Sequence, residues 1–499
     1  MSSSETSPAS GAGAAGAAPA ARISRRRFVK NSLAAGAVTA GVIGLGGRLL
    51  GADAGSAKPV AGSASKPAGS SAAAANAAAL KNVAAAGHLP AWNATLAAKP
   101  LEKVRVGFIG VGGRGNGLLM NALVLPDVEI VAVCDLDLPR AKRCAAACKK
   151  RRPNAPVPAV YGGAGDAYKE LIDREKPDAV VIATYWDSHA PIALYALERG
   201  AAPAVEVPIA LTVAECWQLV ETAERVGIPC MMLENWSFRR DNLAVLNMIR
   251  AGLFGEIVHS HCAHSHDCID HWFFGRDGRD RWPAKYLINF NRDHYPTHSV
   301  GPVLSWLDIN CGDVVTEIFS SATASKGINA YFARKFGAKH PGATRRYAQG
   351  DIVTSTLRTA GGKTFVINYD MQLPRPYSNR WLVQGTLGVY DEERGGIYLH
   401  GKTKGYHQWE KFSERENEHV HRWWREGGGG GHGGVDLIEL REFFRAVKAR
   451  AQTPIDVYDS VVMSAIVELS GQSIAANKPV AFPDFTKGRW KQRAPYFGV

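Results

Sequence analysis

The chain has 499 residues, 46% of them hydrophobic and 21% charged, with a formal net charge of +13. That length allows two or three domains with real cores, and the balance is ordinary for a soluble globular protein. The positive excess is spread out, apart from the N-terminal stretch and one run at Lys149–Arg152. No basic stripe is interleaved with aromatics, so nucleic-acid binding is not expected.

The N-terminus opens the chain-order reading. Residues 24–30 read S-R-R-R-F-V-K, and an Ala/Gly-rich apolar stretch runs from Leu33 to Leu45. The paired Arg25 and Arg26, then Phe28, then a weakly hydrophobic core are expected of a twin-arginine signal region over residues 1–52. The apolar run is too short and glycine-rich to span a membrane well. The expected partner is the twin-arginine export machinery, and the expected location is periplasmic or secreted. Residues 53–100 are mostly Ala, Gly, Ser, Lys and Pro and read as a linker.

Residues 101–235 read as a nucleotide-binding domain. Lys103 to Asp135 holds an apolar run, the triplet Gly110, Gly112 and Gly115 spaced G-x-G-x-x-G, and a second apolar run ending in an acid. Asp135 lies about 20 residues past the last glycine, the spacing of an acid that reaches the adenosine ribose. A carboxylate there favours NAD over NADP, because it repels a 2′-phosphate.

Helical composition at Leu138–Lys150, Ala167–Arg174, Ser188–Arg199 and Thr212–Val226 alternates with strand patterns. The strands are at Ala159–Tyr161, Asp178–Thr184, Ala204–Glu206 and Ile228–Leu233. Thr212 with Glu215 three residues on predicts a capping box. The alternation predicts a doubly wound parallel sheet, an α/β Rossmann arrangement, whose ligand sits at the carboxyl ends of the strands. Those ends carry Thr184, Tyr185, Trp186, Asp187, Ser188 and His189, then Glu206, Val207 and Pro208, then Glu234 and Asn235, and all three are expected to line the cofactor crevice.

From residue 236 the pattern changes to that of an α+β domain for substrate and oligomerisation. A helix is expected at Leu243–Ala251 and a strand from Gly255 to His266. Strand composition recurs at Val314–Ser321, Ile352–Thr359, Thr364–Tyr369, Arg380–Gly385 and Gly388–Asp391, which predicts an open, mainly antiparallel sheet. Two helices close the chain, Val435–Ala449 and Tyr458–Ala475.

Within this half, His259, His261, Cys262, His264, His266, Asp267 and His271 crowd one segment. Strand alternation puts His259 and His261 on one face and His264 and His266 on the other. One metal could not easily use them all, so a polar sugar-facing surface is expected and no metal centre. Tyr295 and His298 sit three apart at an apparent helix start and can share a face. His432 lies in a glycine-rich loop and reads as either a site residue or a loop or cap residue. The eight cysteines form no C-x-x-C pair, and no disulfide framework is expected.

Several stretches together resemble the family 109 glycoside hydrolases, the NAD-dependent α-N-acetylgalactosaminidase group within the Gfo/Idh/MocA oxidoreductases. They are G-F-I-G-V-G-G-R-G at 107–115, E-V-P at 206–208, M-M-L-E-N at 231–235, Y-P-T-H at 295–298, L-P-R-P-Y-S at 373–378, G-H-G-G-V-D at 431–436 and P-I-D-V-Y-D at 454–459. The resemblance spans about residues 101 to 487. It implies NAD contacts at Arg114, Gly115, Asp135, Trp186 to His189, Glu206, Val207 and Asn235, and contacts to a small-molecule glycoside substrate at Tyr295 and Tyr377. Two positions depart from the family pattern. His264 stands where the family has Tyr, and Pro283 stands where it has Arg, which leaves the sugar unassigned. Open sheets in this group often pair face to face, which is compatible with a homodimer.

Most sugar oxidoreductases of the wider group have E-K-P where this chain has Glu206-Val207-Pro208, and valine cannot shuttle a proton. The resemblance therefore implies a glycosidase that oxidises C3 transiently, loses the C2 proton, eliminates at C1, adds water and re-reduces. Tyr295 and His298 are the catalytic candidates, and His298, with the lower ordinary pKa, is the easier base at neutral pH. The alternatives are an NAD-dependent sugar or polyol dehydrogenase and a non-catalytic sugar-binding protein.

Overall fold

The structure, a computed structural model, describes residues 100–498. The twin-arginine region, and the linker up to residue 99, lie outside the described residues.

The first sheet contains β1 (Val104–Ile109), β2 (Val128–Asp135), β3 (Ala159–Gly162), β4 (Ala179–Ile182), β5 (Ala202–Val205) and β6 (Met231–Met232). Every pairing in it is parallel, and the order is β3-β2-β1-β4-β5-β6. The direction of winding reverses between β1 and β4, which opens a crevice at their carboxyl ends. Val104, Val106, Phe108 and Ile109 on β1 are buried, each contributing roughly 1.5–3 kcal/mol of apolar burial.

The helix Val213–Val226 begins with the expected capping box, Thr212 and Glu215 bonding reciprocally, and stops at Gly227 with φ +68°. Two strands differ from expectation. β5 ends at Val205, so Glu206-Val207-Pro208 forms the turn after it, and β6 is only Met231–Met232.

The second sheet contains β7 (Ile257–Ser265), β8 (Val315–Ala322), β9 (Val353–Thr359), β10 (Thr364–Asp370), β11 (Leu382–Gly385), β12 (Gly388–Asp391), β13 (Gly396–Leu399), β14 (Glu410–Lys411) and β15 (Val480–Ala481). Its order is β14-β13-β12-β11-β7-β10-β9-β8-β15. The β7–β10 pairing is parallel and the others are antiparallel, so the sheet is open and mainly antiparallel. Along β9, Val353, Ser355, Leu357 and Thr359 point inward and the residues between them outward, the period-2 pattern of a half-buried strand.

The closing helices return to the first sheet. Helix Val435–Ala449 packs on Gly113–Ala122, and Val457–Ala476 lies between Val213–Val226 and β8. Serine hydroxyls on the last helix accept backbone N–H bonds at the edge of the first sheet: Ser460 from Met232 (3.0 Å) and Ser464 from Ile209 (3.2 Å). All eight cysteines are free and buried.

Candidate functional site

The glycine triplet divides its work by geometry. Gly110 has φ +82°, and a Cβ there would meet the Ala183 carbonyl at 2.5 Å. A Cβ on Gly115 would lie 1.9 Å from the Gly110 carbonyl oxygen, so glycine is required for helix Gly113–Ala122 to sit on the turn after β1. Around Gly112 and Gly113 nothing lies within 4 Å of a built Cβ, and no side chain caps this helix. Its first N–H groups therefore face open space, an arrangement that receives a phosphate.

Asp135 ends β2, buried. Its Oδ2 accepts from Val111 N–H (2.9 Å), and its Oδ1 accepts from Asp137 N–H (2.9 Å) and pairs with Arg140 (3.1 Å). A carboxylate has about four acceptor positions, so one stays open for a ribose hydroxyl. Beside it a cavity of about 360 Å3 is lined by Val111, Gly112, Gly113, Asn116, Arg140, Arg143, Cys144 and Ala147. The cradle, the uncapped helix and the acid fit NAD.

A second cavity, about 230 Å3, opens at the carboxyl ends of β4, β5 and β6. Arg114, Trp186, His189, Glu206, Val207, Asn235, Tyr295, His298 and His432 line it, together with Ala183, Thr184, Trp272 and Trp282. Arg114 is its electrostatic centre, with Nε on Glu206 (2.5 Å) and Nη1 on Asp436 (2.6 Å). Burial works against the Arg114 charge, but Glu206 and Asp436 hold its pKa above the ordinary value. Asp436 also accepts from Asn235 Nδ2 (2.8 Å) and His432 Nδ1 (2.9 Å). Burial would raise its carboxyl, yet the His432 bond and the Arg114 charge keep it well below the carboxylate range. His432 lines the cavity, reaches from its loop to Asp436, and packs edge-on against Trp236, ring centres 5.6 Å apart.

Opposite this cluster stands a relay. Glu234 is fully buried at the end of β6, and its Oε2 accepts from the Ser237 amide (3.0 Å) and hydroxyl (2.9 Å). Its Oε1 takes the bond from His298 Nδ1 (2.5 Å), and His298 Nε2 meets the Tyr295 hydroxyl at 3.3 Å. Tyr295 precedes the helix Thr297–Leu307, and Pro296 starts that helix, so the two side chains share a face as expected. The Tyr295 ring stacks on Trp186 at 5.9 Å, half-buried with one side to the cavity. Burial, then the Glu206 charge, push its phenol well above the ordinary value, so it stays protonated.

His264 is buried on β7 with its ring 5.1 Å from Tyr295 and 5.4 Å from His298. Burial, with His298 and His266 nearby, pushes its pKa well below the ordinary value, so it is neutral. Tyr377 packs edge-on against it at 5.6 Å.

Other sequence candidates lie apart from the cavity wall. Asp187 is exposed and paired with Lys285 (2.6 Å), while Ser188 bonds Thr184 Oγ1 and the Tyr185 carbonyl at 2.7 Å each. His259 and His261 do share a face, but they bond Thr364 and Asn368 of the neighbouring β10 (2.9 and 2.8 Å) rather than the site. The pattern reading placed Glu234 at the crevice without giving it a role, and it passed over Asp436, Trp272 and Trp282. An acid after M-M-L at a strand end marks the first. An acid four residues after His432 marks the second. No local pattern marks the two tryptophans.

Residues 104–233 match the family described as "Oxidoreductase family, NAD-binding Rossmann fold", and residues 238–492 match "Glycosyl hydrolase 109, C-terminal domain". A "Glycosyl hydrolase family 109 protein" of Stenotrophomonas maltophilia is 38% identical over 423 residues, covering 79% of this chain and 92% of that one. An "Alpha-N-acetylgalactosaminidase" of Tannerella forsythia is 36% identical over 419 residues, covering 79% and 89%. Among solved structures, a levoglucosan dehydrogenase in complex with NADH and L-sorbose superposes with a TM-score of 0.58 at 18% identity, covering 77% of this chain and all (100%) of that one. A myo-inositol 2-dehydrogenase of Lactobacillus plantarum gives 0.55 at 15% identity, covering 76% and 100%. These two similarities speak to the fold alone.

Proposed function

The chain belongs to glycosyl hydrolase family 109, enzymes carrying an oxidoreductase-type NAD-binding domain, and from that premise we propose that it cleaves a glycosidic bond by oxidation and elimination. The sugar is oxidised at C3 and loses its C2 proton, the C1 substituent departs, water adds, and C3 is reduced again. Gly110 to Gly115 and Asp135 would hold NAD, which would supply the hydride acceptor and donor for that cycle.

The observation that carries this reading is the Glu234–His298–Tyr295 relay in the same cavity wall as Val207. A plain dehydrogenase of the wider group would place its acid–base lysine at position 207. Here the proton-handling group is His298, oriented by a buried carboxylate, with a protonated tyrosine beside it. Glu234 fixes the proton on His298 Nδ1 and leaves Nε2 free to accept one. Tyr295, kept neutral by burial, donates a hydrogen bond to a sugar oxygen or to His298. The ordinary glycosidase arrangement needs two carboxyl groups flanking the bond. Among the described residues lining the cavity Glu206 is the only carboxylate, and Arg114 holds it in an ion pair.

The Tannerella forsythia relative makes an α-N-acetylgalactosaminide the first substrate to try, and His264 and Pro283 are the positions where this chain's sugar preference would diverge. The test is a panel of nitrophenyl glycosides in deuterated water, with and without added NAD. Aglycone release accompanied by deuterium at C2 is expected; release without deuterium overturns the route, and net accumulation of NADH makes the enzyme a dehydrogenase. The same reading includes export through the twin-arginine machinery, resting on Arg25 and Arg26. Replacing both with lysine should leave the enzyme in the cytoplasmic fraction.

A further inference from the structure

We propose that His266, Cys268 and His271 form a binding site for a zinc-class divalent cation at the rim of the sugar cavity. The nearest ligand atoms of the three side chains all lie within 4.8 Å of one another. A tetrahedral zinc with Zn–N near 2.0–2.1 Å and Zn–S near 2.3 Å holds such atoms roughly 3.5 Å apart. The remaining gap is small, and His271 can close it. Its ring is exposed and it belongs to the single π-helical turn Ile269–Phe273.

Among the described residues no hydrogen bond engages the Cys268 sulfur or the His266 ring, so neither must surrender a partner. A thiolate with two imidazoles is the ligand set of zinc or cobalt, not of magnesium or calcium. Asp270, which also faces Lys335 (3.5 Å), lies 3.8 Å from His271 Nδ1, a carboxylate that could hold that ring once it turns Nε2 to the ion. The sequence pattern gave no metal here because one ion could not easily use the whole crowd from His259 to His271, and Cys268 does not belong to the group it picks out.

The position gives the ion a task. His266 packs edge-on against Tyr377, ring centres 5.0 Å apart, and Tyr377 packs on His264. Trp272, the residue after His271, lines the cavity and lies against Tyr295 and Trp186. An ion bridging 266, 268 and 271 pins the turn that presents Trp272. It takes no part in bond cleavage. A thiol must lose its proton to ligate the ion, so binding releases it.

The test is titration of the full-length, chelator-stripped protein with cobalt(II) alone. The wild type should bind one equivalent, with a thiolate-to-cobalt band in the near ultraviolet and intense tetrahedral bands in the visible. Calorimetry with zinc in two buffers of different ionisation enthalpy should show about one proton released per ion. His271→Ala, at an exposed position, should weaken binding by roughly tenfold or more without loss of fold. Cys268→Ser should abolish the near-ultraviolet band. If that variant fails to fold, His266→Ala takes its place and should weaken binding as His271→Ala does. No thiolate band at stoichiometric cobalt, or affinity unchanged in both histidine variants, overturns the proposal.

Discussion

Replacing Glu234 with glutamine tests the relay at its root. The side chain is fully buried, and the two residues are nearly the same size, so packing is preserved. The amide oxygen can still accept from the Ser237 amide and hydroxyl, which turns the NH2 group toward His298 Nδ1, where the carboxylate oxygen lay at 2.5 Å. A donor facing Nδ1 forces it to accept. The ring proton then moves to Nε2, and the nitrogen facing Tyr295 and the cavity can no longer take a proton. General acid–base catalysis is worth about 10²–10⁴ in rate, or roughly 2.7–5.5 kcal/mol of barrier, and Glu234→Gln should forfeit most of it in kcat. The assay is aglycone release together with deuterium uptake at C2, on protein whose bound NAD has been quantified. Because the two residues act as one unit, adding His298→Ala should cost little more. If kcat and the exchange rate both stay within about threefold of wild type at equal NAD content, the relay is not the proton-handling device.

Gly112→Ala should leave stability within about 0.5 kcal/mol, because nothing lies near the new methyl, yet lower the NAD that co-purifies; Gly115→Ala should lose on the order of 1–3 kcal/mol or more through its clash with the Gly110 carbonyl. Thermal melts with cofactor extraction separate the two. Tyr295→Phe should lower kcat by about tenfold, one hydrogen bond's worth, and less than His298→Ala; the reverse order would make Tyr295 the base. Burial raises the Asp293 carboxyl to about 7, against about 3.9 in an unfolded chain. The folded state therefore binds the extra proton between those values, and stability falls as pH rises across that window, by up to about 1.4 kcal/mol per pH unit. Asp293→Asn should remove this slope, so its Tm advantage over wild type grows from pH 4 to 7; an advantage that shrinks refutes the burial argument.

Much of the nucleotide half was legible in the sequence, because strand and helix periods, the capping box and the glycine spacing are local signals. All six strands of the first sheet lie where the pattern put them, within a few residues. The shorter pieces of the second half escaped it. β13, β14 and β15 are two to four residues long, and β14 and β15 pair only at the edges of the sheet. In the candidate site, Tyr295 and His298 announced themselves by spacing. Glu234 and Asp436 did not acquire roles until residues distant in sequence met them. Arg114 and Asp436 are 322 positions apart, and no window of neighbouring residues contains that ion pair. Trp272 sits in the five-residue π-helical turn and Trp282 in a turn before Ala284–Asn289, pieces too short to show a period, so their inward direction comes from packing.

That long-range ion pair also sets an order of events during synthesis. The glycine cradle and Asp135 leave the ribosome early, while Asp436 and helix Val435–Ala449, which backs Gly113–Ala122, emerge near the end. Until they arrive, Arg114 has only Glu206, and His432 is not yet there to close the cavity. The cluster around Arg114 is therefore completed only once residue 436 has been made. Truncation before residue 432 should leave Arg114 with Glu206 alone and strip both closing helices from the first sheet, so the shortened chain should melt below the full one.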